Sequence, residues 1–421
     1  MVVKRLRVHH IVAALYVLLT VPVAASTDVL DYHQQQLVIG GVERTVRIPV
    51  GYALEALVNS LGGPRLITFS DTGDLFIGSG SGNVYRIPPP YTQATVLVKL
   101  DDYPHSVAFR KGEILIAQTH GLYRAPFRNG QKTLSLDSVT LLAALPGGPG
   151  HGSRTVRVGP DGRIYLALGI AGNCDDQYLG ADYPFENRRG GVLVLNQQDG
   201  KAQWETYASG LRNPVGFDWH PKTRVLYASN NGPDHLGFDS PPEYFSRLTE
   251  SSFHGMPWYQ YDGSGLRRDD CIARTPPQPS SAVVRPVATF PARSAPLGVA
   301  FVPEGALDRR LSGDALVALH GSWAVRSSFI WRVSRRLGLN KFLEAKFPTF
   351  AREETRRPPK VVVVRFKDGR AQRVDDLITG FQLPNGKRWG RPAGVAIGPD
   401  GALYFTSDSG ANVLFRLKPS Q

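Results

Sequence analysis

Only 2 of the 421 residues are cysteine and only 2 are methionine. Two thiols cannot make a disulfide-dense scaffold or a four-thiolate zinc site. The Ala/Glu/Lys/Leu bias of a long helical protein is also missing. Beyond residue 25 no apolar run reaches the roughly 20 residues needed to span a bilayer. There is no GxGxxG, no Walker loop, no HExxH and no GxSxG, so nicotinamide, nucleotide and serine-hydrolase chemistry have no local support. What the chain has in plenty is 44 Gly, 32 Pro, 16 Tyr and 19 Phe. With 42% hydrophobic residues it can bury a large core, which excludes wholesale disorder. That profile fits many short strands joined by tight turns.

The formal net charge is +13. Nothing in its distribution calls for nucleic acid. Lys4, Arg5 and Arg7 precede an apolar stretch from Ile11 to Ala25, and small residues stand at Val23 and Ala25. This is the pattern of a signal peptide over 1–25 cleaved before Ser26, and it predicts a periplasmic or secreted protein with no membrane span after processing. Residues 26–421 are then one domain with a net charge of about +10. In an oxidising compartment Cys174 and Cys271 either pair or remain two thiols; both readings stay open.

A unit recurs along the chain: an alternating apolar strand, a turn on Asp-Gly or its equivalent, a second strand, a Gly turn and a third strand. Copies begin at Arg65, His105, Arg154, Asn213, Pro296 and Arg391. A further β-rich segment follows each of the first five, at 94–100, 139–145, 202–211, 282–290 and 371–381. Six units of three strands plus one predict an all-β, six-bladed β-propeller. Glu43 to Leu57 would add a strand to the last blade and close the ring. Repeat spacing grows from 40 to 95 residues, which places long insertions at Gly172–Arg189, Pro233–Arg285 and Ser334–Arg388. Loops of such length on a rigid scaffold usually build a site.

The starts of the innermost strands ring the channel mouth in such a fold. Here they bring His151, Arg154, Arg212, Asn213 and Arg391, with His105, Arg65 and His320 beside them. A mouth lined by Arg and His suits a small molecule carrying several carboxylates. His235 and His254 read as hydrogen-bonded loop residues rather than ligands. Asp269-Asp270, beside Arg267-Arg268, reads as a solvated turn.

Four segments carry a family likeness: GLRNPVGFDWHP (210–221), NNGPDHLGFDSPPEY (230–244), ALHGSW (318–323) and GRPAGVAIGPDG (390–401). In their order and blade positions the chain resembles the pyrroloquinoline-quinone-dependent soluble sugar dehydrogenases, the glucose/sorbosone group. The resemblance implies His151 as the base that takes a hydroxyl proton while hydride leaves for the quinone. It implies Arg212, Asn213 and Arg391 as cofactor contacts, with His320 and Arg326 as further basic contacts. The backbone carbonyls of Gly232 and Pro233 would ligate Ca²⁺. A sugar would be the substrate and an external acceptor would take the electrons.

Two positions depart from the family pattern. The Asp expected nineteen residues after the catalytic His is Ile170 here, which predicts an imidazole without a partner for its tautomer. Asp175 or Asp176 could substitute only if the loop folds back. One of two closely spaced arginines near the final blade is Ala393. The alternative is therefore a non-catalytic propeller that binds a glycan or protein through its loops. A calcium-dependent lactonase would need several acidic ligands at the channel, where the inner positions are mostly basic or neutral.

Overall fold

The structure is a computed structural model, and it describes residues 30–198, 201–322, 337–339 and 356–420. The signal peptide and Arg326 lie outside the described residues. The strands below belong to one unit, Asp31–Gln421. Six sheets, antiparallel apart from one short parallel edge strand in the third, follow one another around a ring, and their innermost strands are Pro64–Phe69, Ser106–Arg110, Arg154–Val158, Phe217–Trp219, Pro296–Phe301 and Pro392–Ile397. These fall at or within a few residues of the six repeat starts. The molecule is a six-bladed β-propeller.

The second strand of each blade explains why the ring holds together. Leu75–Ser79, Glu113–Gln118, Ile164–Leu168, Leu226–Asn230, Ala315–Leu319 and Leu403–Ser409 are nearly continuous apolar runs, because both faces of a blade meet neighbours. Alternate residues serve opposite neighbours. In blade 1, Leu75 and Ile77 pack with Ala396 and Tyr404 of blade 6, while Phe76 between them packs with Val107 and Ile114 of blade 2. In blade 3, Leu166 joins Leu115 of blade 2, and Tyr165 joins Phe217 of blade 4.

The Asp-Gly turns are built alike in blades 3 and 6. Gly162 and Gly401 take φ of +78° and +76°, a region costly for a residue with a Cβ. Asp161 accepts from the Tyr165 hydroxyl and Asp400 from the Tyr404 hydroxyl, each at 2.8 Å. The short motif Asp-Gly-x-x-Tyr therefore ties a turn to its own second strand.

The ring closes as expected, with one correction. Tyr52–Val58 pairs antiparallel with the C-terminal strand Ala411–Pro419. The preceding Val42–Pro49 does not join the blade but forms a hairpin with Tyr32–Ile39. The long insertions are also shorter than the spacing suggests. Lys360–Lys367 and Arg370–Ile378 are the outer strands of blade 5; the second matches the β-rich segment expected at 371–381, while the first lies in the stretch expected to be loop. Glu243–Leu248 is likewise the third strand of blade 4, and Ser252–Phe253 adds an edge to blade 3. No helix among the described residues is long and apolar enough to cross a membrane.

Candidate functional site

A first strand starts where its antiparallel second strand ends, so both termini of each inner hairpin face the same mouth of the ring. There a cavity of about 500 Å³ opens, and its walls include His151, Arg212, Asn213, Gly232, Arg65 and His320. Five of the expected site residues meet in it. Pro233 and Arg391 are not among its lining residues.

The His151 ring is oriented by a main-chain hydrogen bond. Its Nδ1 lies 2.5 Å from the backbone carbonyl of Ile170, the residue standing where a carboxylate was expected. A carbonyl only accepts, so Nδ1 carries the proton and Nε2 keeps a lone pair. The expectation of an unsupported imidazole is thus corrected: the main chain supplies the partner. Ile170 is itself pinned, its N–H donating to the Arg212 carbonyl at 2.8 Å. Gly150 allows the close approach, since a Cβ there would run into the Ala171 carbonyl. Asp176 does not substitute, because it accepts from the Tyr183 hydroxyl and from Arg274. Burial, and next the Arg212 charge, push the His151 pKa down to about 4 against the pull of the Ile170 carbonyl.

Two arginines that the repeat pattern placed at the mouth turn inward instead. Arg154 is fully buried and donates to the carbonyls of His151, Ser153 and Pro146. Arg391, also buried, donates to the carbonyls of His320 and Gly321 at 2.9 and 2.8 Å. Arg391 therefore positions the His320 turn rather than lining the cavity. Arg189, unremarked in the sequence, donates to the carbonyls of Gly147, Pro149, His151 and Gly169. Each planar guanidinium satisfies several carbonyls of an irregular loop, which strands cannot do there. His105 is likewise buried, with Nδ1 on the Arg154 carbonyl at 3.0 Å.

Three arginines (Arg65, Arg212 and Arg293) and three carboxylates (Asp234, Glu243 and Asp408) set the cavity's charge. Arg212 donates to the Gly172 carbonyl and to Asn173 Oδ1 at 3.1 and 2.8 Å. Arg65 pairs with Asp408, whose other oxygen lies 2.6 Å from His320 Nε2. Burial would raise Asp408, but Arg65 and His320 overrule it and hold its carboxyl well below the usual range. Burial outweighs Asp408 at His320 and pushes its pKa down to about 4. Across the cavity stands Arg293, which the sequence reading missed. Its guanidinium donates to the carbonyls of Pro233, Asp234, Gly237 and Ser240 and pairs with Asp234 at 3.1 Å. Glu243, also missed, accepts from the N–H groups of Gly232 and Arg293, and burial raises its pKa to about 7.

That arrangement decides the fit of calcium. Pro233's carbonyl is already taken by Arg293, and the two carboxylates on this wall are engaged as well: Asp234 pairs with Arg293 and Arg212, and Glu243 accepts from the N–H groups of Gly232 and Arg293. A hard dication needs free oxygens and few cations nearby. The Gly232–Pro233 carbonyls do not fit Ca²⁺ as arranged. A carboxylate-bearing quinone does fit: the volume lies in the range of ligand cavities, and Arg65, Arg212 and Arg293 supply the cations. Asn213 Oδ1 is also buried at the cavity without a hydrogen-bond partner, a place for a ligand donor.

Residues 274–418 match the TrAA12-like family model. The fold agrees over the full ring. A Trichoderma reesei Carbohydrate-Active Enzymes Family AA12 structure covers 89% of this chain and 97% of its own, with a TM-score of 0.68 and 17% identity. The PQQ domain of pyranose dehydrogenase from Coprinopsis cinerea, in its holo form, covers 89% and 97%, with a TM-score of 0.65 and 18% identity. The PQQ-bound aldose sugar dehydrogenase of Streptomyces coelicolor covers 88% and 100%, with a TM-score of 0.57 and 15% identity. In sequence, an uncharacterized protein of Borreliella burgdorferi is 24% identical over 391 residues, covering 89% of this chain and 91% of the relative. The structures that share the fold include ones named for the group of quinoprotein sugar dehydrogenases that the four segments resemble.

The missed residues fall into two groups. Asp408 lies near the end of a second strand, as His320 follows one, a second ring of positions that faces the same mouth as the strand starts and from which only His320 was read. Reading both rings would have found Asp408. Arg293 and Glu243 act through main-chain partners in irregular loops, for which no spacing exists to read.

Proposed function

We propose that this chain is an exported quinoprotein dehydrogenase that oxidises an aldose, a sorbosone-like aldehyde or a related sugar and passes the electrons to an external acceptor. The observation that carries the reading is His151: a neutral imidazole at the cavity wall, with Nδ1 fixed on the Ile170 carbonyl. Pyrroloquinoline quinone, when bound, supplies the two-electron sink. Arg212, Arg65 and Arg293 would hold its carboxylates, and Asn213 would meet a donor on its ring. His151 Nε2 takes the proton of the substrate hydroxyl as the carbon–hydrogen bond breaks. Its low pKa keeps that lone pair available across the neutral range. Arg293 places a fixed cation where calcium was expected, so no metal is required at Gly232 and Pro233.

The chain reconstituted with the quinone should reduce an artificial dye on an aldose panel, and His151→Ala should abolish the signal. Equal dye reduction by the variant would remove His151 from the mechanism. The non-catalytic alternative drew its motive from the missing carboxylate, and the Ile170 carbonyl removes that motive.

A further inference from the structure

The two cysteines lie outside the cavity lining, one on each loop beside it. Cys174 follows Asn173 in the blade 3 insertion, and Cys271 sits in the segment between Glu243–Leu248 and Ala288–Phe290. They are unbonded, and their Sγ atoms and a ring nitrogen of His235 all lie within 4.8 Å of one another. Tetrahedral zinc, with bonds of about 2.3 Å to sulfur and 2.0 Å to nitrogen, sets its ligands roughly 3.5–3.8 Å apart. Small side-chain rotations close that difference.

The surroundings are those of a cation site. Asp269, expected in a solvated turn, is buried and accepts from His235 Nε2 at 3.0 Å, from Gln260 and from the Cys271 N–H. A carboxylate behind a histidine fixes its tautomer and strengthens its other nitrogen as a ligand.

We propose that Cys174, Cys271 and His235 form a three-ligand site for a borderline-soft ion of the zinc class, with water in the fourth position. His235 binds through the nitrogen that Asp269 does not hold. Thiolate ligands select against Ca²⁺ and Mg²⁺, and binding releases the two thiol protons to solvent. The ion joins the two loops one residue from Asn173, whose side chain takes Arg212 at 2.8 Å and the Asp234 N–H at 2.9 Å. It thereby braces Arg212 from outside the cavity. The proposal stands independently of the dehydrogenase reading.

Zn²⁺ and Co²⁺ titration of the full chain tests it, with a free-thiol count on the protein as isolated. One equivalent should bind, Co²⁺ should give a thiolate-to-metal absorption band, and Asp269→Asn should weaken binding about 10-fold. His235→Ala should weaken it more, while the ring fold, followed by circular dichroism, stays intact. A Cys174–Cys271 disulfide in the isolated protein, a cobalt spectrum without the sulfur band, or unchanged affinity in His235→Ala each overturns the proposal.

Discussion

The Ile170 carbonyl accepts from Nδ1 of His151 at 2.5 Å, doing with main chain what a carboxylate side chain was expected to do. The Ile170 side chain is itself buried, and its Cγ2 lies close to Gly190. Restoring an Asp there would put a charge into an apolar contact without improving the base. Ile170→Asp should lower unfolding free energy by about 3 kcal/mol and leave turnover no higher. Thermal melts and dye-reduction rates check it; a faster enzyme would show that the carbonyl is an inferior partner.

Acid sensitivity follows from the histidines. His151, His254 and His320 are each pushed down to about 4 chiefly by burial, and His105 is lowered well below its usual value. Each binds a proton more readily unfolded than folded. Their contribution to stability is therefore complete above pH ~6.5 and is lost as pH falls toward 4. Urea midpoints should drop steeply across that window. The activity itself should fall only as His151 protonates near pH 4.

Arg189 bridges four loop carbonyls, and a lysine has neither the fork nor the reach to replace it. Arg189→Lys should cost at least about 2 kcal/mol through carbonyls left unsatisfied. Because the His151 loop loosens, kcat should fall more than quinone affinity. A variant with unchanged kcat and stability would make this network incidental.

Calcium should be dispensable. With Arg293 on the Pro233 carbonyl, quinone binding followed by absorbance should be the same with and without EGTA. Arg293→Ala should instead weaken it at least 10-fold, by loss of a buried cation from the wall. A quinone affinity that collapses in EGTA would restore the ion to the site.

The fold was legible because a propeller repeats its grammar. Alternating apolar strands and Asp-Gly turns recur six times, and each second strand advertises its double burial by a run such as Leu-Phe-Ile or Ile-Tyr-Leu. The site was legible only where a side chain faces the cavity, as at His151, Arg212 and His320. Arg154 and Arg391 sit at equivalent repeat positions yet spend their guanidinium groups on carbonyls, and sequence does not distinguish the two uses. The Ile170 carbonyl is less readable still, since every residue has one. The third strands of blades 4 and 5, Glu243–Leu248 and Lys360–Lys367, were hidden inside the expected insertions, and in blade 5 no clean Gly turn precedes Lys360.

Arg65 and Asp408 are 343 positions apart in the chain and meet where the first blade abuts the last. That junction is fastened by Tyr52–Val58 lying against Ala411–Pro419, so one wall of the cavity is assembled from opposite ends of the polypeptide. A nascent or clipped chain missing its last strand holds most of the site residues but not the enclosure they need. Any ligand that leans on this wall can bind only after the first and last blades have met.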